Sequence, residues 1–304
     1  MPPTVAILLH ARDRTAARRN YRVWPIAECM KRLGCDVRVL RGPPSTGTIE
    51  ADILIPQVDC SHLTGEYRAA IEAHPRCVNG TLFDIRKRSI SPNVILAPED
   101  HDGPVILKTN NNSGGFRDLV YHTGEHVPPL ARLRMALAWS PKIRPIFRAI
   151  EDRRLGTTRT LTRYPLFDSA HDVPKEAWTN PHLVVEKFRT PDRDDRGRYV
   201  MHMWIPAGNI GTGRTLAGSE PYVKDRNAEL GFFDQPPPEI EAERKRLGLD
   251  YGKIDYIIER GTPHVIDVNW SPTVSGDAMT DRHFDECMPL ARGLLDRFGA
   301  IADG

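Results

Sequence analysis

Two runs near the C-terminus, GKIDYIIERGTP (252–263) and HVIDVNW (264–270), alternate apolar and polar residues about a break at Gly261 and Pro263. Such a pair is constrained to fold as an antiparallel hairpin. Strand side chains alternate between faces, so Lys253, Asp255 and Ile257 share one face and Ile254, Tyr256 and Ile258 the other. In the second run Val265, Asp267 and Asn269 share a face, with Ile266, Val268 and Trp270 opposite. A hairpin centred near Gly261 sets Asp255 against Asp267 and Lys253 against Asn269. Opposed Cβ atoms lie roughly 4.5–5.5 Å apart, and like charges there are destabilising. Solvation at the strand ends, or pairing with Lys253, relieves one acid at a time. Neither accounts for three oxygen-bearing side chains converging on one face, whereas a magnesium ion, bound through a few carboxylate oxygens, water and phosphate, does.

The 304-residue chain is long enough to bury a large core and to divide into two or three lobes. With 40% apolar and 27% charged residues it has the composition of a soluble globular protein. No apolar stretch reaches the length of a membrane span, and TVAILLH near the start is too short for a signal-peptide core. We therefore expect a cytoplasmic protein without a membrane partner. A formal charge of +2 makes no case for nucleic acid. The five cysteines (Cys29, Cys35, Cys60, Cys77 and Cys287) are odd in number, scattered and never spaced CxxC. That argues against a disulfide framework and a zinc site, and casts Cys29, Cys35 and Cys77 as small core residues.

The first 80 or so residues alternate strand and helix signals: TVAILLH, a helix ending at Gly34, CDVRVL, ADILIP, a helix in LTGEYRAAIEAH, and a short strand at RCVNG. This is an open βαβ-type sheet without a GxGxxG fingerprint. His10, Arg12, Asp59 and His62 follow strand ends, where such sheets place ligands, and are substrate candidates or plain loop residues. Residues 124–165 carry nine Lys and Arg against three acids, with helices expected in LARLRMALAW and RPIFRAIEDRR, as a solvated basic face or a cover over an anion. A final helix is expected around ECMPLARGLLDRF, and DQPPPE interrupts the third segment without marking a boundary.

VILKT (105–109) is an apolar strand containing Lys108 and followed at once by NNNSGG, whose glycines can present backbone N–H groups to phosphate. LVVEKF (183–188) is a second such strand, ending in Glu186, Lys187 and Phe188, where the Lys187 carbonyl and Phe188 amide could meet an adenine edge. Each is commonplace alone. In this order, and closed by GKIDY and HVIDVNWSPT, they resemble the ATP-grasp superfamily over nearly the whole chain.

That resemblance implies an α/β and α+β protein: a small open α/β domain (1–85), then a central subdomain (86–185) and a C-terminal subdomain with the metal hairpin (186–304). It implies ATP and two magnesium ions, or manganese, as cofactors. Lys108 would contact the α and β phosphates under a loop of Asn110, Asn111, Asn112, Ser113, Gly114 and Gly115, with Lys87 or Arg88 as a further phosphate ligand. Glu186, Lys187 and Phe188 would form the adenine hinge, and Asp192 or Asp194 would hold the ribose. Asp255, Asp267 and Asn269 would ligate metal, with Lys253 beside the transferring phosphoryl group. The family's middle metal ligand is usually Glu; here it is Asp267, one methylene shorter. Arg214, with Lys224 nearby, is either a carboxylate anchor or a surface residue. The implied activity is an ADP-forming carboxylate–amine ligase acting on small molecules, possible as a homodimer. The rivals are a small-molecule kinase on the same fold and a nucleotide-binding module without turnover.

Overall fold

A computed structural model describes residues 2–13, 20–44, 48–123, 154–161, 164–223, 228–274 and 279–300. The chain begins with β1 (Thr4–Leu9), α1 (Val23–Arg32), β2 (Asp36–Arg41), β3 (Ile53–Gln57) and α2 (Gly65–Glu72). It continues through α3 (Lys87–Ile90), β4 (Val94–Ile95), β5 (Val105–Thr109), β6 (Leu166–Phe167), α4 (Lys175–Thr179) and β7 (Leu183–Lys187). It ends with β8 (Tyr199–Ala207), β9 (Ile210–Gly218), β10 (Ala228–Phe233), α5 (Pro238–Leu247), β11 (Lys253–Glu259), β12 (Thr262–Asn269) and α6 (Asp281–Arg297). The expected helices at 130–139 and 144–154 lie almost wholly outside the described residues. No described helix is long and apolar enough to cross a membrane.

The residues gather into two compact units, one of Met1–Asp59, Leu63–Phe83 and Thr190–Gly304, the other of Cys60–His62 and Asp84–Arg189. Residues of the first and third segments share one core. Val5, Ile7 and Leu9 of β1 and Ile26, Cys29 and Met30 of α1 bury together with Cys287, Leu290 and Leu294 of α6 and Ile205 and Ala207 of β8.

In the first unit β1 is the centre of a parallel sheet ordered β2-β1-β3, and all of it but Thr4 is buried. A strand covered on both faces must be apolar on both. α1 closes at Gly34, whose φ of +88° lets the chain turn away. The segment RCVNG forms only one bridge, Cys77 to Leu54, rather than a strand. There Asn79 turns the chain at φ +56°, and its amide group bonds both the N–H and the C=O of Tyr251, as a backbone partner would.

The second sheet of this unit, ordered β10-β9-β8-β11-β12, is antiparallel throughout. Its β8–β9 turn, Gly208-Asn209, presses against α6. A Cβ on Gly208 would run into the Gly293 carbonyl, and one on Gly293 into the Ala207 carbonyl and the Ile210 side chain. DQPPPE starts a helix here, with Pro237 as N-cap and Pro238 in its first turn.

In the second unit an antiparallel sheet is ordered β4-β7-β5-β6. One face of β5 and β7 packs Val105, Leu107, Leu183 and Val185 against Ala170, Val173 and Ala177. The other face carries Ile106, Lys108, Val184 and Glu186, paired 106 with 186 and 108 with 184.

The close approach at α6 predicts that Gly293→Ala destabilises the protein by about 1–3 kcal/mol, the usual cost of overpacking. Gly231→Ala on β10, where an added Cβ meets nothing within 4 Å, should stay within about 0.5 kcal/mol of wild type in the same urea titration.

Candidate active site

β11 and β12 pair Lys253 with Asn269, Ile254 with Val268 and Asp255 with Asp267, the register read from the sequence. The turn itself is Arg260-Gly261, both left-handed at φ 52° and 78°, as a two-residue hairpin loop requires. The register shifts by one residue between Asp255 and Tyr256, which leaves Ile266 as a bulge. Val265 therefore opposes Tyr256 and falls on the face away from the acids, contrary to the strict alternation expected. Ile266 takes the acid face instead, packing beside Ile257, Met201 and Met203.

Lys253 Nζ lies 2.9 Å from Asp255 Oδ2, and Asn269 Oδ1 accepts the Ser271 N–H at 2.7 Å. Two carboxylates and an amide oxygen on one face are a hard donor set, which fits magnesium; Asp255, Asp267 and Asn269 are the residues that would hold it.

The same face carries a transverse row of paired residues, Phe232 of β10, Arg214 of β9, Met203 of β8, Asp255 and Asp267. At about 4.8 Å per strand, Arg214 stands about 10 Å from Asp255. Arg214 is not a surface residue: it is 6% exposed and ion-pairs with Glu286 of α6. Arg22, 1% exposed, approaches the same glutamate at 3.7 Å, and Arg282 bonds it at 2.9 Å. Burial alone would raise the Glu286 pKa, but the charges of Arg214, Arg282 and Arg22 outweigh it and hold the carboxyl below its ordinary value. Burial likewise pushes the neighbouring Cys287 thiol up to about 11, despite Arg22. Sequence reading missed Arg22 and Glu286, which no local motif marks.

In the second unit Lys108 Nζ meets Glu186 Oε2 at 2.7 Å with both side chains buried. Of the two basic candidates before the strand, Lys87 reaches the glycine loop, its Nζ 2.8 Å from Asn112 Oδ1. Arg88 turns to the sheet end instead, donating to the Leu183 carbonyl, while its N–H binds Asn110 Oδ1. Ser113, Gly114 and Gly115 are consecutively left-handed. A Cβ on Gly114 would strike the Leu161 carbonyl and one on Gly115 the Arg159 carbonyl. Three of the loop's amides are engaged within the unit, Asn110 with the His182 carbonyl, Asn112 with Ser61 Oγ and Gly115 with the Asn112 carbonyl. Asn111 supplies the carbonyl that accepts from Thr109 Oγ1.

Other sequence candidates are placed differently from expectation. The Phe188 N–H, offered to an adenine edge, already donates to the Pro104 carbonyl, and the Lys187 N–H to that of Asn93. Asp192, a ribose candidate, instead caps the hairpin turn, its oxygens accepting from the Arg260 and Gly261 N–H groups. Asp194 accepts from the Arg196 and Arg198 backbone and from the Arg198 guanidinium. The Arg198 backbone bond leads the influences that lower its pKa. His10 stacks on Tyr67 with ring centroids 4.9 Å apart and accepts the Arg12 N–H, and Asp59 accepts from Tyr21 at 2.6 Å. Lys224 lies outside the described residues.

No protein-family model matches the chain, and no curated protein is similar enough to count. Among solved structures it is similar to a RimK domain ATP-grasp protein from Sphaerobacter thermophilus, with 13% identity over 96% of this chain and 99% of that one, at a TM-score of 0.49. It is similar also to the ATP-grasp ligase PsnB complexed with a phosphomimetic variant of its minimal precursor, Mg and ADP (10% identity, 98% and 99% covered, TM-score 0.49). A D-alanine–D-alanine ligase from Bacillus anthracis complexed with ATP follows at 9% identity, 97% and 96% covered, TM-score 0.42. The resemblance is to ATP-grasp proteins. It is a likeness of chain path at low identity.

Because the folded-state pKa of Glu286 is depressed, its contribution to stability is present above the unfolded glutamate value, about 4.3, and is lost as pH falls through the folded value. Glu286→Gln should therefore flatten the acid limb of a stability-against-pH curve below about pH 4.3. Denaturant midpoints measured across that range check it.

Proposed function

We propose that this protein is an ATP- and magnesium-dependent, ADP-forming ligase that joins a small carboxylate to an amine through an acyl phosphate. One observation carries the reading: Asp255 and Asp267 oppose each other across adjacent strands, with Asn269 and Lys253 opposed beside them. Like charges so placed are unfavourable without a cation between them, and the oxygen-only donor set suits magnesium over a softer metal.

When bound, magnesium supplies charge neutralisation at a transferring phosphoryl group. The chain's own part is positioning. Asp255 holds the Lys253 ammonium on the metal face. Glu186 orients Lys108, and Asn112 ties Lys87 to the glycine loop. Gly114 and Gly115 let the loop backbone pack directly against the Leu161 and Arg159 carbonyls, which fixes its course. Glu286 aims Arg214, whose guanidinium suits an acceptor carboxylate. The carboxylate becomes an acyl phosphate, and the amine nitrogen then attacks the acyl carbon, losing a proton as phosphate leaves.

Incubating the enzyme with magnesium-ATP, hydroxylamine and a panel of small acids should yield an acyl hydroxamate with matching ADP. Asp267→Asn should lower that turnover by at least about 100-fold with circular dichroism unchanged. Phosphorylation of a hydroxyl acceptor without hydroxamate would replace the ligase with a kinase. Nucleotide binding without ADP release across acids and amines would leave a module that does no chemistry.

A further inference from the structure

Three chemically distinct metal-binding side chains meet in the second unit, beside the glycine loop. Cys60 Sγ, an Asp118 carboxylate oxygen and a His122 ring nitrogen all lie within 4.8 Å of one another. Asp118 and His122 are four residues apart in the helical run behind the glycine loop, a spacing that brings side chains to one helix face. His122 Nε2 stands 3.6 Å from Asp118 Oδ1, close to the roughly 3.4 Å edge made by two bonds of about 2.0–2.1 Å at a tetrahedral angle.

The carboxylate is held in place. Ser61, next in sequence to Cys60, donates its N–H to Asp118 Oδ1 at 2.8 Å and its hydroxyl to Oδ2 at 2.9 Å. Hydrogen bonds of this kind orient ligating carboxylates in metal sites. Ser61 Oγ also accepts the Asn112 N–H, so the cluster continues directly into the glycine loop. Cys60 and Asp118 are buried while the His122 side chain is 37% exposed, which leaves an entry path. His62 borders the cluster, its ring centroid 6.5 Å from that of His122.

We propose that Cys60, Asp118 and His122 bind one borderline-soft divalent ion of the zinc class, with water in the fourth position. Sulfur, nitrogen and oxygen in one set suit zinc, and a thiolate ligand disfavours magnesium. On binding, the Cys60 thiol gives its proton to solvent and its sulfur bonds the metal. The ion fastens residues 60–62 to the helical run that carries the glycine loop. This inference does not depend on the ligase reading.

Titrating the metal-stripped full chain with cobalt(II), without nucleotide, tests it. One equivalent should develop a thiolate-to-cobalt charge-transfer band in the near ultraviolet, together with the visible bands of four-coordinate cobalt. Zinc should abolish both and excess magnesium neither. Cys60→Ser should lose the ultraviolet band, and His122→Gln should keep it while weakening affinity by at least about 10-fold. Absence of the band in the wild type, or its persistence in Cys60→Ser, overturns the site. Thermal unfolding of the wild type with and without zinc gives a second reading: an unchanged midpoint at saturating zinc would also count against it.

Discussion

Two carboxylates facing each other across neighbouring strands are the constraint around which this molecule is organised. The pairing is imposed by backbone hydrogen bonding, so the acids cannot move apart without breaking the ladder that β11 and β12 share with the rest of their sheet. Lys253 neutralises one of them from the same face. Opposed carboxylates at this spacing make this face a place for a cation.

The same sheet face handles positive charge differently. Arg22 and Arg214 are both removed from water, and Glu286 lies against both, with Arg282 adding a third guanidinium from a more exposed position. A buried charge without a counterion is costly, so Glu286 is what allows two arginines to remain inside. It also fixes where Arg214 points, in the row that leads to the acids. An acidic patch and a guanidinium held about 10 Å apart on one rigid sheet form a frame, with spacing set by strand geometry.

Much of this was legible in the sequence, and the reasons divide cleanly. Period-two alternation and a turn signal predicted the Asp255–Asp267 register, because both are local properties of one hairpin. The Lys108 strand, the Glu186 strand and the closing helix followed from apolar runs of the right length. What escaped was non-local or fine-grained. Cys60 joins Asp118 and His122 only through tertiary folding, so cysteine spacing could not reveal it. Glu286 meets Arg22 and Arg214 from a distant helix. The β8–β9 hairpin did leave a signal in its Gly208-Asn209 pair, a known turn dipeptide. Phe188, Asp192 and Asp194 read as ligand contacts, but their groups bond to nearby backbone or side chains, a competition a bare strand-to-loop pattern cannot display.

The bulge at Ile266 separates two jobs that most hairpins combine. In a regular ladder the loop dictates which residues face each other, so any change of loop type carries every facing pair with it. Here the extra residue absorbs the offset between the Arg260-Gly261 loop and the acid register. The offset between tip and acids is thereby confined to one residue. Without residue 266 the ladder would run unbroken from tip to acids, with Tyr256 still opposite Val265 and Asp255 still opposite Asp267, and the acid register would then rest on the loop alone.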